Sequence, residues 1–183
     1  MTTKAELRGH FRRARASIAP EQHVRAAQQI TAQLAALLPP TAPTMIYVGI
    51  RHELPTLSII EALLGRGQPL AVPRVEGNLL VAARLNNTKD LTEGAFGVPT
   101  SIETPLASPQ ICITPGVAFT PAGDRLGQGG GFYDRFFAER PEIWRVGIAY
   151  DEQVTASLPT ETHDQRVHTL ITPTRLYGLS KAP

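Results

Sequence analysis

Four glycines, Gly127, Gly129, Gly130 and Gly131, fall within five residues, between Arg125-Leu126 and the segment Phe132-Tyr133-Asp134-Arg135, where a helix is expected to begin. Glycine lets backbone N–H groups converge on one point with no side chain in the way. A helix start adds free N–H groups and a partial positive charge. Together these features make a cradle for phosphate. Arg125 offers a cation to phosphate oxygens, and Asp134 is a hard oxygen ligand suited to Mg²⁺. Tyr133 supplies a ring for stacking and a hydroxyl for hydrogen bonding. No Lys-Ser or Lys-Thr follows, so the loop is not a Walker A loop. Phe132 stands where a dinucleotide fingerprint begun at Gly127 and Gly129 would place its third glycine. The glycines taken alone also fit a flexible turn.

A second set of charges lies at the N-terminus. Residues 1–25 carry Lys4, Arg8, Arg12, Arg13, Arg15 and Arg25 against Glu6 and Glu21, although the whole chain has a net charge of only +2. The spacing predicts a helix over 4–18, with Leu7, Phe11, Ala14 and Ile18 on one apolar stripe. Lys4, Arg8, Arg12 and Arg15 form a second stripe about a quarter-turn away. Such a helix can dock on the body while its cations edge an anion-binding cleft. A solvated face with incidental arginines is the plainer alternative. Glu53 follows an apolar run, and the end of a strand is where α/β sheets hold ligands. Its carboxylate could accept hydrogen bonds from ligand N–H groups, or it could be an ordinary surface glutamate.

The elements that must position these groups alternate. A helix is expected from Pro20, with Val24, Ala27, Ile30, Leu34 and Leu37 inward and Pro39-Pro40 ending it. Residues 45–49 read as a strand covered on both faces. Residues 56–64 read as a helix with Leu57, Ile60 and Leu64 inward. Further strands are expected at 70–73, 79–85, 111–114, 145–150 and 169–172, and a helix from 132 to about 140. Residues 86–109 read as a long functional or covering loop. Cys112 and Trp144 read as core packing. Strands alternating with helices predict an α/β fold, three-layered, with a largely parallel central sheet and helices on both faces. At 183 residues the chain is expected to be one domain spanning 1–183. It has no run of roughly 18 apolar residues to span a bilayer, and its charged N-terminus is unlike a secretory signal. With a single cysteine, a reducing cytoplasmic setting is expected.

The segment from Pro115 to Arg135 resembles the signature of the 5-formyltetrahydrofolate cyclo-ligase family, and the likeness extends over nearly the whole chain. Lys4-Ala5-Glu6-Leu7-Arg8 is similar to that family's N-terminal nucleotide-contacting segment. Val48 to Glu53 resembles its pterin-binding strand end, and Phe96-Gly97-Val98-Pro99 resembles a loop near the folate. His163-Asp164 resembles a late motif whose aspartate assists metal binding. Thr100, Gln128, Gly130 and His168 depart from residues common in the family.

The resemblance implies a sugar-phosphate isomerase/CoA-transferase-like fold and a cytoplasmic enzyme that uses ATP and Mg²⁺. It would convert 5-formyltetrahydrofolate to 5,10-methenyltetrahydrofolate, with ADP and phosphate released through a phosphorylated formyl intermediate. Arg125 and Tyr133 would be catalytic. Lys4, Arg8 and the run Arg125, Leu126, Gly127, Gln128, Gly129, Gly130, Gly131, Phe132 and Tyr133 would bind ATP. Val48, Glu53 and Tyr133 would bind the folate, and Asp134 and Asp164 the metal. Small-molecule substrates are the expected partners, with no nucleic acid, no membrane and a monomeric protein. Two rival readings are a sugar-phosphate isomerase or effector-binding domain, and an RNA-binding module using the basic helix. The near-absence of aromatics among the N-terminal cations argues against the second.

Overall fold

Nearly continuous apolar strands need cover on both faces, and in the computed structural model they receive it. The structure describes residues 2–106 and 108–178. Among these residues four helices, α1 (Lys4–Ala16), α2 (Pro20–Leu37), α3 (Leu57–Gly65) and α4 (Phe132–Ala138), are joined by nine strands. These are β1 (Thr44–Ile46), β2 (Leu70–Glu76), β3 (Leu79–Leu85), β4 (Ile111–Thr114), β5 (Ala118–Phe119), β6 (Arg125–Leu126), β7 (Trp144–Ile148), β8 (Thr169–Ile171) and β9 (Leu176–Tyr177). Seven strands form one sheet in the order β3-β2-β1-β4-β7-β8-β9, while β5 and β6 make a separate hairpin. The five central strands run parallel, and β3 and β9 are antiparallel edges.

Alternation along the central strands divides the core into two layers. Ile46, Val72, Ile111, Ile113, Val146 and Ile148 face Ile30 and Leu34 of α2 and Ile59, Ile60 and Leu63 of α3. Met45, Ala71 and Cys112 face the other way, onto Phe136 and Phe137 of α4. The lone thiol is fully buried, and burial pushes its pKa far up, so Cys112 is an inert core residue. Trp144 is also core, 3% exposed.

Chain order fixes where a ligand can sit. From β1 the chain crosses through α3 to β2 on one side; from β3 it returns to β4 on the other side of β1. The carboxyl ends of β1 and β4 therefore flank a topological switch point, the place where loops diverge and leave a crevice. A capping box closes the start of α1: Glu6 N–H donates to Thr3 Oγ1 (3.3 Å), and Thr3 N–H to Glu6 Oε2 (2.7 Å). Phe11 of α1 packs on Val117, Ala118 and Leu126, which sets this helix beside the crevice.

Several expectations from periodicity need correction. Val24 and Leu57 are 57% and 44% exposed; α3 buries Ile59, Ile60 and Leu63, with Leu64 partly buried against the same core and Leu57 left outside. In a segment as uniformly apolar as Leu-Ser-Ile-Ile-Glu-Ala-Leu-Leu, the period cannot choose a face. The first strand ends at Ile46 instead of residue 49, because Gly49 N–H donates to Thr56 Oγ1 (2.8 Å) and the chain turns there. Within 86–109, short 3₁₀ turns at Thr88–Asp90 and Ala95–Gly97 and a Thr92–Thr100 bridge give the loop a defined course.

Candidate active site

The crevice is a cavity of about 950 Å³, and every residue singled out above for ATP, folate or metal lines it. Its walls also bring in residues that the sequence did not assign, among them Tyr47, Arg12, Arg15 and Glu161. Six cations (Lys4, Arg8, Arg12, Arg15, Arg51 and Arg125) face four carboxylates (Glu53, Asp134, Glu161 and Asp164). The surplus of positive charge suits a polyanionic ligand.

The glycine loop owes its course to left-handed backbone at Gly129 (φ 109°) and Gly131 (φ 67°), conformations that side chains rarely adopt. The loop is also held from outside. Arg8 Nε donates to Gly127 O (2.8 Å), and Arg135 Nη2 to Gly130 O (3.1 Å). No side chain caps α4, whose cap position is Gly131. Asp134 therefore does not act as a helix cap. Its Oδ1 instead accepts from Arg125 Nη2 (2.6 Å) and from Gln165 N–H (3.1 Å). Among the described residues Asp134 Oδ2 has no partner, and neither does the buried Nε of Arg125.

Tyr133 lies half-buried beneath the loop, with Arg125 5.7 Å from its ring centre. Burial pushes its hydroxyl well above the ordinary tyrosine value, against the pull of Arg125. The group stays protonated near neutrality and can donate a hydrogen bond. Tyr47, at the opposite wall, is raised by burial and then by the nearby Glu53.

On the far wall, Val48 (5% exposed) gives an apolar surface. Glu53 is only 12% exposed at its side chain. Its Oε2 accepts from Ile50 N–H (3.2 Å), and its Oε1 accepts from Gln128 Nε2 (3.1 Å) and lies 3.7 Å from Arg15 Nη1. Arg15, which periodicity put on the cationic stripe, lines the cleft, is 8% exposed and faces this carboxylate. Phe96 projects from the covering loop at 73% exposure with φ 60°, its ring 5.9 Å from that of Phe132.

A third group closes the floor near the N-terminus. Lys4 Nζ donates to Asp164 Oδ2 (2.7 Å) and Glu161 Oε2 (2.9 Å). Burial works against the ammonium, but these two partners outweigh it and hold its pKa above the usual lysine value. At Asp164 burial opposes ionisation, and hydrogen bonds from Lys4 and the Glu161 N–H overcome it, keeping the carboxyl below its ordinary value. Ligand atoms of Glu161, His163 and Asp164 lie within 4.8 Å of one another, with the Lys4 ammonium bound to two of the three.

Residues 1–173 match the model of the 5-formyltetrahydrofolate cyclo-ligase family. The chain belongs to this family. It is 31% identical over 181 residues to the 5-formyltetrahydrofolate cyclo-ligase of Escherichia coli (strain K12), covering 91% of this chain and 98% of that protein. It is 30% identical over 174 residues to the enzyme of the same name from Haemophilus influenzae, covering 88% and 92% of the two chains. The NMR structure of the Aquifex aeolicus 5,10-methenyltetrahydrofolate synthetase superposes with a TM-score of 0.86 at 29% identity, over 100% of this chain and 95% of that one. Cyclo-ligase family membership accounts for the order in which the matching segments occur along the chain. Neither the sugar-phosphate isomerase reading nor the RNA-binding reading draws support from these relatives. No helix among the described residues is long and apolar enough to cross a membrane.

Three of the side chains that sequence reading left unassigned, Arg12, Arg15 and Glu161, have partners distant in sequence. Arg15 meets Glu53, and Glu161 meets Lys4 across 157 positions. Local spacing carries no signal for such contacts.

Proposed function

We propose that this protein catalyses the ATP-dependent cyclisation of 5-formyltetrahydrofolate to 5,10-methenyltetrahydrofolate, releasing ADP and phosphate. The observation that carries the reading is the one cavity lined by a glycine loop, flanked by cations, and by a largely buried carboxylate in the loop after β1. A phosphate donor suits the first of these and an N–H-rich heterocycle the second.

The backbone N–H groups of 127–131 cradle the phosphates, with Arg8, Arg125 and Lys4 adding charge. Glu53 accepts hydrogen bonds from the pterin amino and ring N–H groups, and Val48 packs against the ring. Tyr133, protonated, donates to an oxygen in transit between the two substrates. Held in line, the N5-formyl oxygen attacks the γ-phosphorus and ADP leaves. N10 then attacks the activated formyl carbon and gives up its proton, the five-membered ring closes, and phosphate departs with the former formyl oxygen and takes that proton away. The protein's contribution is mainly positioning and charge neutralisation.

The carboxylates fit a hard cation. Among the described residues Asp134 Oδ2 has no partner, Asp134 lines the cavity, and the Asp164–Glu161 pair already binds a cationic ammonium. Asp134 and Asp164 would hold Mg²⁺, which when bound draws charge from the phosphate oxygens. A cytoplasmic, monomeric enzyme of one domain, with no nucleic-acid partner, suits the buried lone thiol and the small-molecule cavity. The test is the appearance of methenyltetrahydrofolate absorbance from 5-formyltetrahydrofolate, with and without ATP and Mg²⁺. One ADP per product is expected; product without nucleotide would overturn the mechanism.

A further inference from the structure

Gln128 sits at the crest of the glycine loop, yet its side chain turns away from the cradle. Its Oε1 accepts from Arg12 Nε (3.2 Å) and Nη2 (2.6 Å), and its Nε2 donates to Glu53 Oε1 (3.1 Å). Arginine can only donate, and an ionised carboxylate can only accept. The amide is thereby fixed in one orientation, its oxygen toward α1 and its nitrogen toward Glu53. A side chain in this place must accept at one end and donate at the other. Glutamate would repel Glu53, and an aliphatic or cationic residue would satisfy only one partner or neither.

The effect on Glu53 follows from counting acceptor positions. Each carboxylate oxygen has two. Ile50 N–H occupies one on Oε2 and Gln128 Nε2 one on Oε1, while Arg15 Nη1, 3.7 Å from Oε1, lies beyond hydrogen-bond distance and supplies charge only, so each oxygen keeps one position on a group already oriented. A pair of adjacent heterocycle N–H groups needs that arrangement. The loop carrying this amide is itself gripped next door, where Arg8 holds the Gly127 carbonyl.

We infer that Gln128 is a positioning residue for the folate: through Arg12 on one side and Glu53 on the other, it orients the carboxylate that receives the pterin. This rests on the assignment of Glu53 to pterin recognition. It gives the side chain of a nucleotide-loop residue a role on the opposite wall, toward the other substrate. Orientation of Glu53 by its neighbours lowers what the substrate must spend to order it.

Gln128→Met keeps length and volume but can neither donate nor bridge. In calorimetric titrations, 5-formyltetrahydrofolate should bind this variant about tenfold more weakly, with a clearly smaller loss for a non-hydrolysable ATP analogue, which meets residue 128 through its backbone N–H. Gln128→Glu should weaken folate binding further, because a second carboxylate then faces Glu53. In a Glu53→Gln background the Met substitution should add little, since the two act on one contact. Parent-like folate affinity in Gln128→Met overturns the inference, and so does an equal loss for both ligands, which would mark simple distortion of the loop. If Glu53→Gln itself leaves folate affinity unchanged, Glu53 is not the pterin acceptor and the inference falls with it. That result is distinct from one in which Glu53→Gln weakens folate and Gln128→Met does not.

Discussion

Arg125 and Asp134 form one ion pair: Nη2 lies 2.6 Å from Oδ1, with side chains 2% and 18% exposed. The sequence presents them as two separate functional groups, a cation for phosphate and an acid for metal. In the fold each neutralises the other until a ligand arrives, and the free charge of the loop comes from Arg8 and the backbone. Asp134 therefore carries stability as well as any role toward the metal.

Asp134→Asn should accordingly lower both turnover and stability. Removing one partner of a well-buried pair leaves an uncompensated guanidinium, at a cost of roughly 3 kcal/mol, although the retained amide oxygen offsets part of this. The melting temperature should fall in the absence of any ligand. Metal binding makes a separate prediction: at saturating ATP and folate, the Mg²⁺ concentration needed for half-maximal turnover should rise several-fold. A lowered melting temperature with a parent-like Mg²⁺ curve would leave Asp134 as the partner of Arg125 and nothing more. Asp164→Asn should shift the Mg²⁺ curve in the same direction.

Arg8 grips the Gly127 carbonyl across 119 positions. Replacing Lys4 and Arg8 together with alanine should raise the Michaelis constant for ATP by about tenfold and that for folate by much less. Neither side chain belongs to the apolar contact of α1, which is Phe11 on Val117 and Leu126, so the fold should persist. Steady-state kinetics with each substrate varied in turn decides this. Unchanged ATP kinetics would reduce the stripe to solvated surface.

The sequence made the phosphate loop legible because glycines followed by a helix start carry their physics locally. The alternating apolar runs likewise announced the sheet. What stayed hidden depended on direction or on distance. Periodicity placed Arg15 on a stripe with Lys4, Arg8 and Arg12, but not which way each would turn; Arg15 faces inward to Glu53. The strands β5, β6 and β9 have two residues each, too few to show a period. The bridging role of the Gln128 amide left no local trace, because its two partners come from α1 and from the loop after β1.

His168 supplies a pH dependence. Its Nδ1 accepts the backbone N–H of Arg145 at 3.1 Å, which requires that nitrogen to be unprotonated. Burial, and then the positive charge of Arg145, lower its pKa below the usual histidine value. A folded-state value below the unfolded one means the unfolded chain binds the proton more readily. The stabilisation is fully present above about pH 6.5 and is lost as pH falls through the folded-state value. Melting temperature measured from pH 7.5 down to 5 should decline in the parent. In His168→Gln, where nothing titrates, that decline should be shallower. Parallel curves for the two proteins would remove His168 as a cause.

Gly49 tests whether the loop after β1 must hold its course for Glu53 to work. A Cβ added at Gly49 would lie 2.1 Å from the carbonyl oxygen of Leu54 and 3.5 Å from Glu53 Cβ. The first contact is with backbone, so no side-chain rotation relieves it. The segment is stapled on both sides of the clash: Thr56 Oγ1 donates to Tyr47 O (2.7 Å) and accepts from Gly49 N–H (2.8 Å). Gly49→Ala must therefore push residues 53 and 54 outward or break the Thr56 bridge. Overpacking of this kind costs about 1–3 kcal/mol, and the displacement falls on the carboxylate assigned to the pterin. Folate affinity should drop at least tenfold, more than Gln128→Met produces, because the backbone under Glu53 moves as well as its partner. The ATP analogue, bound on the opposite wall, should keep its affinity to within a few-fold. Calorimetry with each ligand, alongside a melting curve, makes the comparison. A protein that melts several degrees lower yet binds folate like the parent would show that folate binding does not depend on the course of this loop, and the prediction would fail.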